Sequence, residues 1–273
     1  MRIYPITDHY YQPLFVDSRL KNSLRDKRNL PGLDFRIDSQ ISFLDNLTYT
    51  DELLDLQLNK PPINNLDFFL GNGSFESGDA EFLYQILRFL KPRNLIEIGS
   101  GHSTRIAHQA LRRNFLESKS DNCTHLCIEP FEMPWLEQLD VIVMRNMIED
   151  CDLSLFDSLE RNDILFIDSS HMIRPQGDVL TEYLEILPRL HSGVIVHVHD
   201  IFSPRDYLDE WIRDDVRFWN EQYLLETLLS NTSRYEVIAS LNYLACDYYS
   251  HLIKVCPYLL PGRQPGSFYF RVK

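Results

Sequence analysis

A chain of 273 residues with 44% hydrophobic content is long enough to bury a large core without disulfide or metal staples. Its formal net charge of −13 argues against nucleic acid as a partner, because a phosphate backbone would be repelled. No run approaches the roughly 18 apolar residues of a membrane span. The opening residues lack the apolar stretch of a secretory signal, and five scattered cysteines suit a reducing compartment, so a cytoplasmic location is expected. Cys123-Thr124-His125-Leu126-Cys127 sets thiols around an imidazole. No second ligand pair with zinc spacing follows it, and Cys127 belongs to an apolar strand pattern, so these cysteines read as incidental.

Residues 1–75 are irregular, aromatic and polar, opening on His9-Tyr10-Tyr11-Gln12-Pro13-Leu14-Phe15. Helical stretches between Asp34 and Leu58 carry Ile37, Ile41, Leu44 and Leu47 on one face, and Pro61-Pro62 ends them. This part reads as a cap on a main domain of residues 76–273. Asp79 is placed to cap a helix bearing Phe82, Leu83, Ile86, Leu87 and Leu90, which Pro92 ends. Strand and helix then alternate: strand Leu95–Ile98, helix Thr104–Leu116, strands His125–Glu129, Val141–Arg145 and Asp163–Asp168, helix Asp178–Leu187, strand Gly193–Asp200. Continuous apolar strands separated by amphipathic helices predict a mostly parallel α/β sheet covered on both faces. The tail predicts a helix over Asp214–Ser230 and strands over Tyr235–Leu244 and Ser267–Val272, finishing the sheet with an antiparallel pair.

Ligands of open α/β sheets bind beyond the carboxyl ends of the strands. Every parallel strand here delivers an acid or a histidine to that edge: Glu97, Glu129, Glu149-Asp150, Asp168-Ser169-Ser170-His171 and His197-Val198-His199-Asp200. The turn at Gly99-Ser100-Gly101, with Ser103 and Thr104 behind it, lets a ligand approach the backbone closely. Glu97 just before it would repel a phosphate and attract a cationic, phosphate-free cofactor. The third glycine of the dinucleotide fingerprint is absent, which argues against a nicotinamide enzyme. Glu129 stands where ribose hydroxyls are gripped, and Glu149 and Asp150 where an adenine amino group lies. Asp168, His199 and Asp200 form a candidate divalent-ion set, and His171 a candidate proton acceptor. His197 reads as a supporting residue, and His102 as a shaper of the turn.

Glu97-Ile98-Gly99-Ser100-Gly101 resembles the first motif of class I S-adenosylmethionine-dependent methyltransferases, and Glu129 matches the acid that holds ribose there. The Asp168–His171 and His199–Pro204 segments resemble the branch of macrocin- and novobiocin-type sugar O-methyltransferases and the cephalosporin-cluster methyltransferase. The resemblance spans nearly the whole chain and implies a Rossmann-like seven-stranded sheet of order 3-2-1-4-5-7-6 with one antiparallel strand. It also implies S-adenosylmethionine as cofactor, held by Glu97, Gly99, Ser100, Gly101, Ser103, Glu129, Glu149 and Asp150. Asp168 and His171 would act on a hydroxyl of a small sugar-like or natural-product acceptor. A divalent ion, usually magnesium, would sit on Asp168, Asp200 and a second acid, in whose place stands His199. Two other readings stay open. One is a metal-dependent hydrolase or hydroxylase built on Asp168, His171, His199 and Asp200. The other is a cofactor-binding protein without catalysis. Aromatics in the cap allow a homodimer; neither nucleic acid nor membrane is expected as a partner.

Overall fold

The computed structural model describes residues 5–6, 9, 11–13, 19–118, 123–131 and 133–273. Tyr10, Leu14 and Phe15 of the aromatic opening segment lie outside the described residues. Seven strands form one sheet: β1 Asn94–Ile98, β2 Thr124–Ile128, β3 Ile142–Met144, β4 Ile164–Ile167, β5 Ile195–Val198, β6 Tyr235–Ser240 and β7 Phe268–Val272. Their order is β3-β2-β1-β4-β5-β7-β6, with β7 antiparallel to both its neighbours and all other pairs parallel. The mostly parallel sheet is what the strand pattern predicts, and its order is the Rossmann-like one the resemblance implies.

Strand alternation divides the core in two. Leu95, Ile164, Phe166 and Ile195 point to the face covered by α3 (Asp79–Leu90) and α4 (His102–Ser118). Ile96, Ile98, Leu165, Ile167, Val196 and Val198 point to the other, covered by α5 (Asp178–Thr181) and α6 (Glu221–Leu229). The N-terminal segment belongs to the first core. Its helices α1 (Ile37–Leu44) and α2 (Thr50–Asp55) bring Leu44 and Leu53 there, and Phe68 and Phe75 follow. Arg88 fastens it: the buried guanidinium donates to Glu52 from Nε at 2.8 Å and Nη2 at 2.9 Å, and also to Asn114 and Glu117 of α4.

The tail departs from expectation. Instead of one helix over Asp214–Ser230, a wide π-type turn at Glu210–Asp214 gives way to irregular chain before α6. The Arg217 guanidinium lies against the rings of both Trp211 and Trp219, 4.4 and 4.6 Å from their centroids, the two indoles meet edge to face at 5.0 Å, and Val216 takes a left-handed φ of 52°. That cluster folds the chain back where a helix would hold the two indoles apart. The strand expected over Tyr235–Leu244 stops at Ser240, whose N–H donates to Gln40 Oε1 at 2.8 Å and whose hydroxyl donates to the Ser203 carbonyl at 2.7 Å. The helices α7 (Leu241–Asp247) and α8 (Tyr249–Leu252) follow. Gly78, not Asp79, occupies the cap position of α3; the Asp79 carboxylate instead accepts from the Gly266 and Ser267 N–H groups at 3.2 and 2.7 Å.

Gly99 takes φ +79° at the end of β1, and a Cβ there would sit 1.9 Å from the Asp168 carbonyl oxygen. Left-handed strain and a backbone clash both oppose any side chain. Gly99→Ala should therefore lower the unfolding free energy by roughly 2–5 kcal/mol, read by urea denaturation.

Candidate functional site

Two clefts open beyond the carboxyl ends of β1, β2, β4 and β5. The first, about 370 Å³, is lined by Gly99, Glu129, Met147, Glu149, Asp168 and Ser170. The second, about 590 Å³, is lined by Phe75, Ser100, Trp135, Asp168, His199 and Arg217. Asp168 borders both, so it stands where their contents would meet.

The glycine turn and Glu129 build the first cleft. Glu129 Oε2 accepts from the Ser100 N–H at 3.0 Å and Oε1 from the Phe131 N–H at 2.8 Å, which ties the end of β2 to the turn after β1. Glu149 lies in a short 3-10 turn, Ile148–Asp150, and lines the cleft; its Oε2 is buried with no partner among the described residues. The Ser100 hydroxyl, on the second cleft, is buried and unpartnered in the same sense. Buried polar atoms are rarely left without a partner, and both of these belong to cleft-lining residues. Ser103 and Gly101 line the second cleft.

Two expected cofactor contacts fall elsewhere. Asp150 lines neither cleft. Glu97 lies beneath the turn, fully buried, accepting from the Thr104 hydroxyl at 2.6 Å and facing His125 Nε2 at 3.2 Å. The physical reason is strand phase: Glu97 points to the α4 face, where the first turn of α4 covers it.

Around Asp168 acids and imidazoles alternate. Asp168 Oδ1 lies 3.4 Å from both His171 Nε2 and His199 Nδ1. Asp200 lies 3.5 Å from each of the same nitrogens. Glu221 Oε2 meets His171 Nδ1 at 2.8 Å, and Glu221 Oε1 accepts from the Tyr183 hydroxyl at 3.0 Å. Burial opposes charge on His171, but Asp168 and Glu221 outweigh it and push its pKa up to about 10. The two carboxylates thus favour its charged form. Burial likewise opposes charge on His199, and Asp200 and Asp168 raise it well above the ordinary range. Burial pushes Asp168 up, yet His199 and His171 hold it well below the usual carboxylate range. Asp168 is therefore ionised. His197, buried against Tyr269 with ring centroids 4.0 Å apart and Nε2 2.8 Å from the Ser267 hydroxyl, is held neutral by burial and by His199.

Asp168, His199 and Asp200 each offer a donor atom within 4.8 Å of the others, and His199 Nδ1 is buried without a hydrogen-bond partner among the described residues. One imidazole nitrogen and two carboxylates fit a divalent cation of borderline hardness.

Sequence reasoning misses Glu221, the buried partner that fixes His171. It also misses the second cleft's walls: Gly73, Ser74, Phe75 and Trp135, the last carrying the Arg105 guanidinium 4.0 Å from its ring centroid. A turn signal, Gly71-Asn72-Gly73-Ser74, was available: Asn72 Oδ1 accepts from the Ser74 and Phe75 N–H groups at 3.0 and 2.9 Å. Trp211 and Arg217 reach the second cleft, whereas Phe218, Trp219 and Tyr223 line a separate hollow of about 400 Å³.

Residues 96–201 match the family model described as a methyltransferase domain. The matched stretch is similar to a methyltransferase domain. It runs from β1 to just past β5 and holds every residue of the Asp168 cluster except Glu221. An uncharacterized protein of Archaeoglobus fulgidus is 27% identical over 175 residues, covering 59% of this chain and 76% of its own length. Among solved structures, an O-methyltransferase from Bacillus cereus in complex with SAH aligns at TM-score 0.44 and 14% identity, covering 85% of this chain and 91% of that one. A TDP-rhamnose 3′-O-methyltransferase of calicheamicin biosynthesis aligns at TM-score 0.45 and 12% identity, covering 86% and 93%. At these scores the likenesses carry no argument about activity.

Beyond the matched stretch, Glu221 is testable by itself. Removing one partner of a buried ion pair strands the other, so Glu221→Ala should lower stability by roughly 3–5 kcal/mol in urea unfolding, and Glu221→Gln by less.

Proposed function

We propose that the protein transfers a methyl group from S-adenosylmethionine to a hydroxyl of a small-molecule acceptor, sugar-like or natural-product-like. The observation that carries this reading is the meeting of the two clefts at an ionised Asp168. The first cleft offers an adenosine its acids: Glu129 for ribose hydroxyls and the unpartnered Glu149 carboxylate for the adenine amino group. The glycine turn and Ser100 face the methionine part. The sulfonium then lies near Asp168, attracted by negative charge.

The acceptor enters the second cleft between Phe75, Trp135 and Trp211. Its hydroxyl oxygen attacks the methyl carbon in line; the carbon–sulfur bond breaks and its electron pair stays on sulfur as a thioether. The hydroxyl donates a hydrogen bond to the Asp168 carboxylate, which orients it, and its proton leaves to solvent. Placement supplies most of the rate, because the sulfonium is already reactive. His171 acts as a positioning residue, its imidazolium holding Asp168 and Asp200 while Glu221 holds it. A divalent ion on Asp168, His199 Nδ1 and Asp200 would supply charge that acidifies the hydroxyl. Loss of the sulfonium charge on transfer removes its attraction to these acids, which favours release of the product.

Calorimetric titration should show micromolar binding of S-adenosylmethionine that Glu129→Ala abolishes. A folded protein with no binding would end this reading. Asp168→Asn should keep cofactor binding but slow transfer of radiolabelled methyl into a pool of hydroxylated small molecules by about 10²–10⁴-fold.

A further inference from the structure

A second cluster of metal-ligating side chains lies outside both clefts. The register of β1 on β2 sets Glu97 opposite Cys127, and His125 precedes Cys127 by two residues, so all three share the sheet face under α4. Glu97 and Cys127 are fully buried and His125 is 4% exposed. A carboxylate oxygen, a ring nitrogen and a sulfur lie here within 4.8 Å of one another. The Thr104 hydroxyl, bonded to Glu97 Oε2 at 2.6 Å, turns Oε1 toward His125 Nε2, 3.2 Å away. That separation is close to the edge of a tetrahedron with metal–ligand bonds of about 2.0 Å, roughly 3.3 Å.

Three lone-pair donors thus converge on one buried volume. A single imidazole proton serves one acceptor well. A divalent cation serves all three, and a carboxylate, a thiolate and a neutral imidazole balance its two charges, leaving the core neutral. The Cys123-Thr124-His125-Leu126-Cys127 stretch alone lacks a second ligand pair; the fold supplies the missing donor from the adjacent strand. A cavity of about 590 Å³, bordered by His125, His108, Asp67 and Asp140, gives an entry path.

We propose that Glu97, His125 and Cys127 bind one borderline-soft divalent cation, zinc by preference, which clamps β1 to β2 beneath the glycine turn. Three protein donors leave the fourth tetrahedral position to a solvent oxygen arriving through that cavity. The site is distinct from the Asp168 cluster, which has no sulfur, and it stands whether or not the protein transfers methyl groups.

The test uses the full chain, purified without chelator or metal resin, loaded with zinc and dialysed. Elemental analysis should find a retained zinc, and its X-ray absorption should show one sulfur at about 2.3 Å with nitrogen and oxygen at about 2.0 Å. Cobalt loading should give a thiolate-to-cobalt charge-transfer band that persists in Asp168→Asn and vanishes in Cys127→Ser. Retained zinc without sulfur scattering in the wild-type chain, no retained zinc, or a band that survives Cys127→Ser would each overturn the proposal. The wild-type measurement stands even if the variant fails to fold.

Discussion

The site depends on one close approach, that of Gly99 to the backbone of Asp168. The Asp168 N–H donates to the Ile98 carbonyl at 2.8 Å, and the Gly99 N–H donates to the Ile128 carbonyl at 3.0 Å. The ends of β1, β2 and β4 are thereby pinned at one level. Only a residue without a Cβ admits this contact at a left-handed φ. Because β4 ends there, Asp168 forms the wall between two clefts and touches both. Glu129 completes the same level from β2 by accepting the Ser100 N–H. The backbone sets the geometry, and the side chains at the strand ends supply the chemistry.

Opposite charges alternate around that wall. Asp168, Asp200 and Glu221 surround the imidazoles of His171 and His199, so each buried ion has an opposite neighbour. Removing any one would leave a buried charge exposed to its own desolvation cost. Two of these residues, His171 and Asp200, take left-handed φ values of 59° and 58°, a backbone state that persists where surroundings over-determine it. The Asn220 and Glu221 N–H groups both donate to the His171 carbonyl, at 3.0 and 3.2 Å, and so fix the first of them. This rigidity suits a reaction governed by placement.

Much of this was legible in the sequence. Continuous apolar strands ending in acids mark the sheet and the edge to which Glu129, Asp168, His199 and Asp200 are brought, where they line the clefts. The order of the strands and the antiparallel β7 follow the expected pattern. What was not legible depends on contacts distant in the chain or on side-chain competition. Glu221 reaches His171 across 50 residues, and no periodicity announces that pairing. The helix expected through Arg217 loses to the contacts of its guanidinium with Trp211 and Trp219, an interaction that outranks helical propensity locally. Glu97 reads from its motif as a cofactor contact, yet its strand phase turns it under α4 toward His125.

The measurement that bears most directly on the shared wall at Asp168 is a crystal structure of the protein with S-adenosylhomocysteine. The account predicts adenosine beside Glu129 and Glu149, the carboxylate and amine of homocysteine at the glycine turn, and the sulfur facing Asp168 where the two clefts meet. Density for the nucleoside in another cavity, or a sulfur turned away from Asp168, would contradict it.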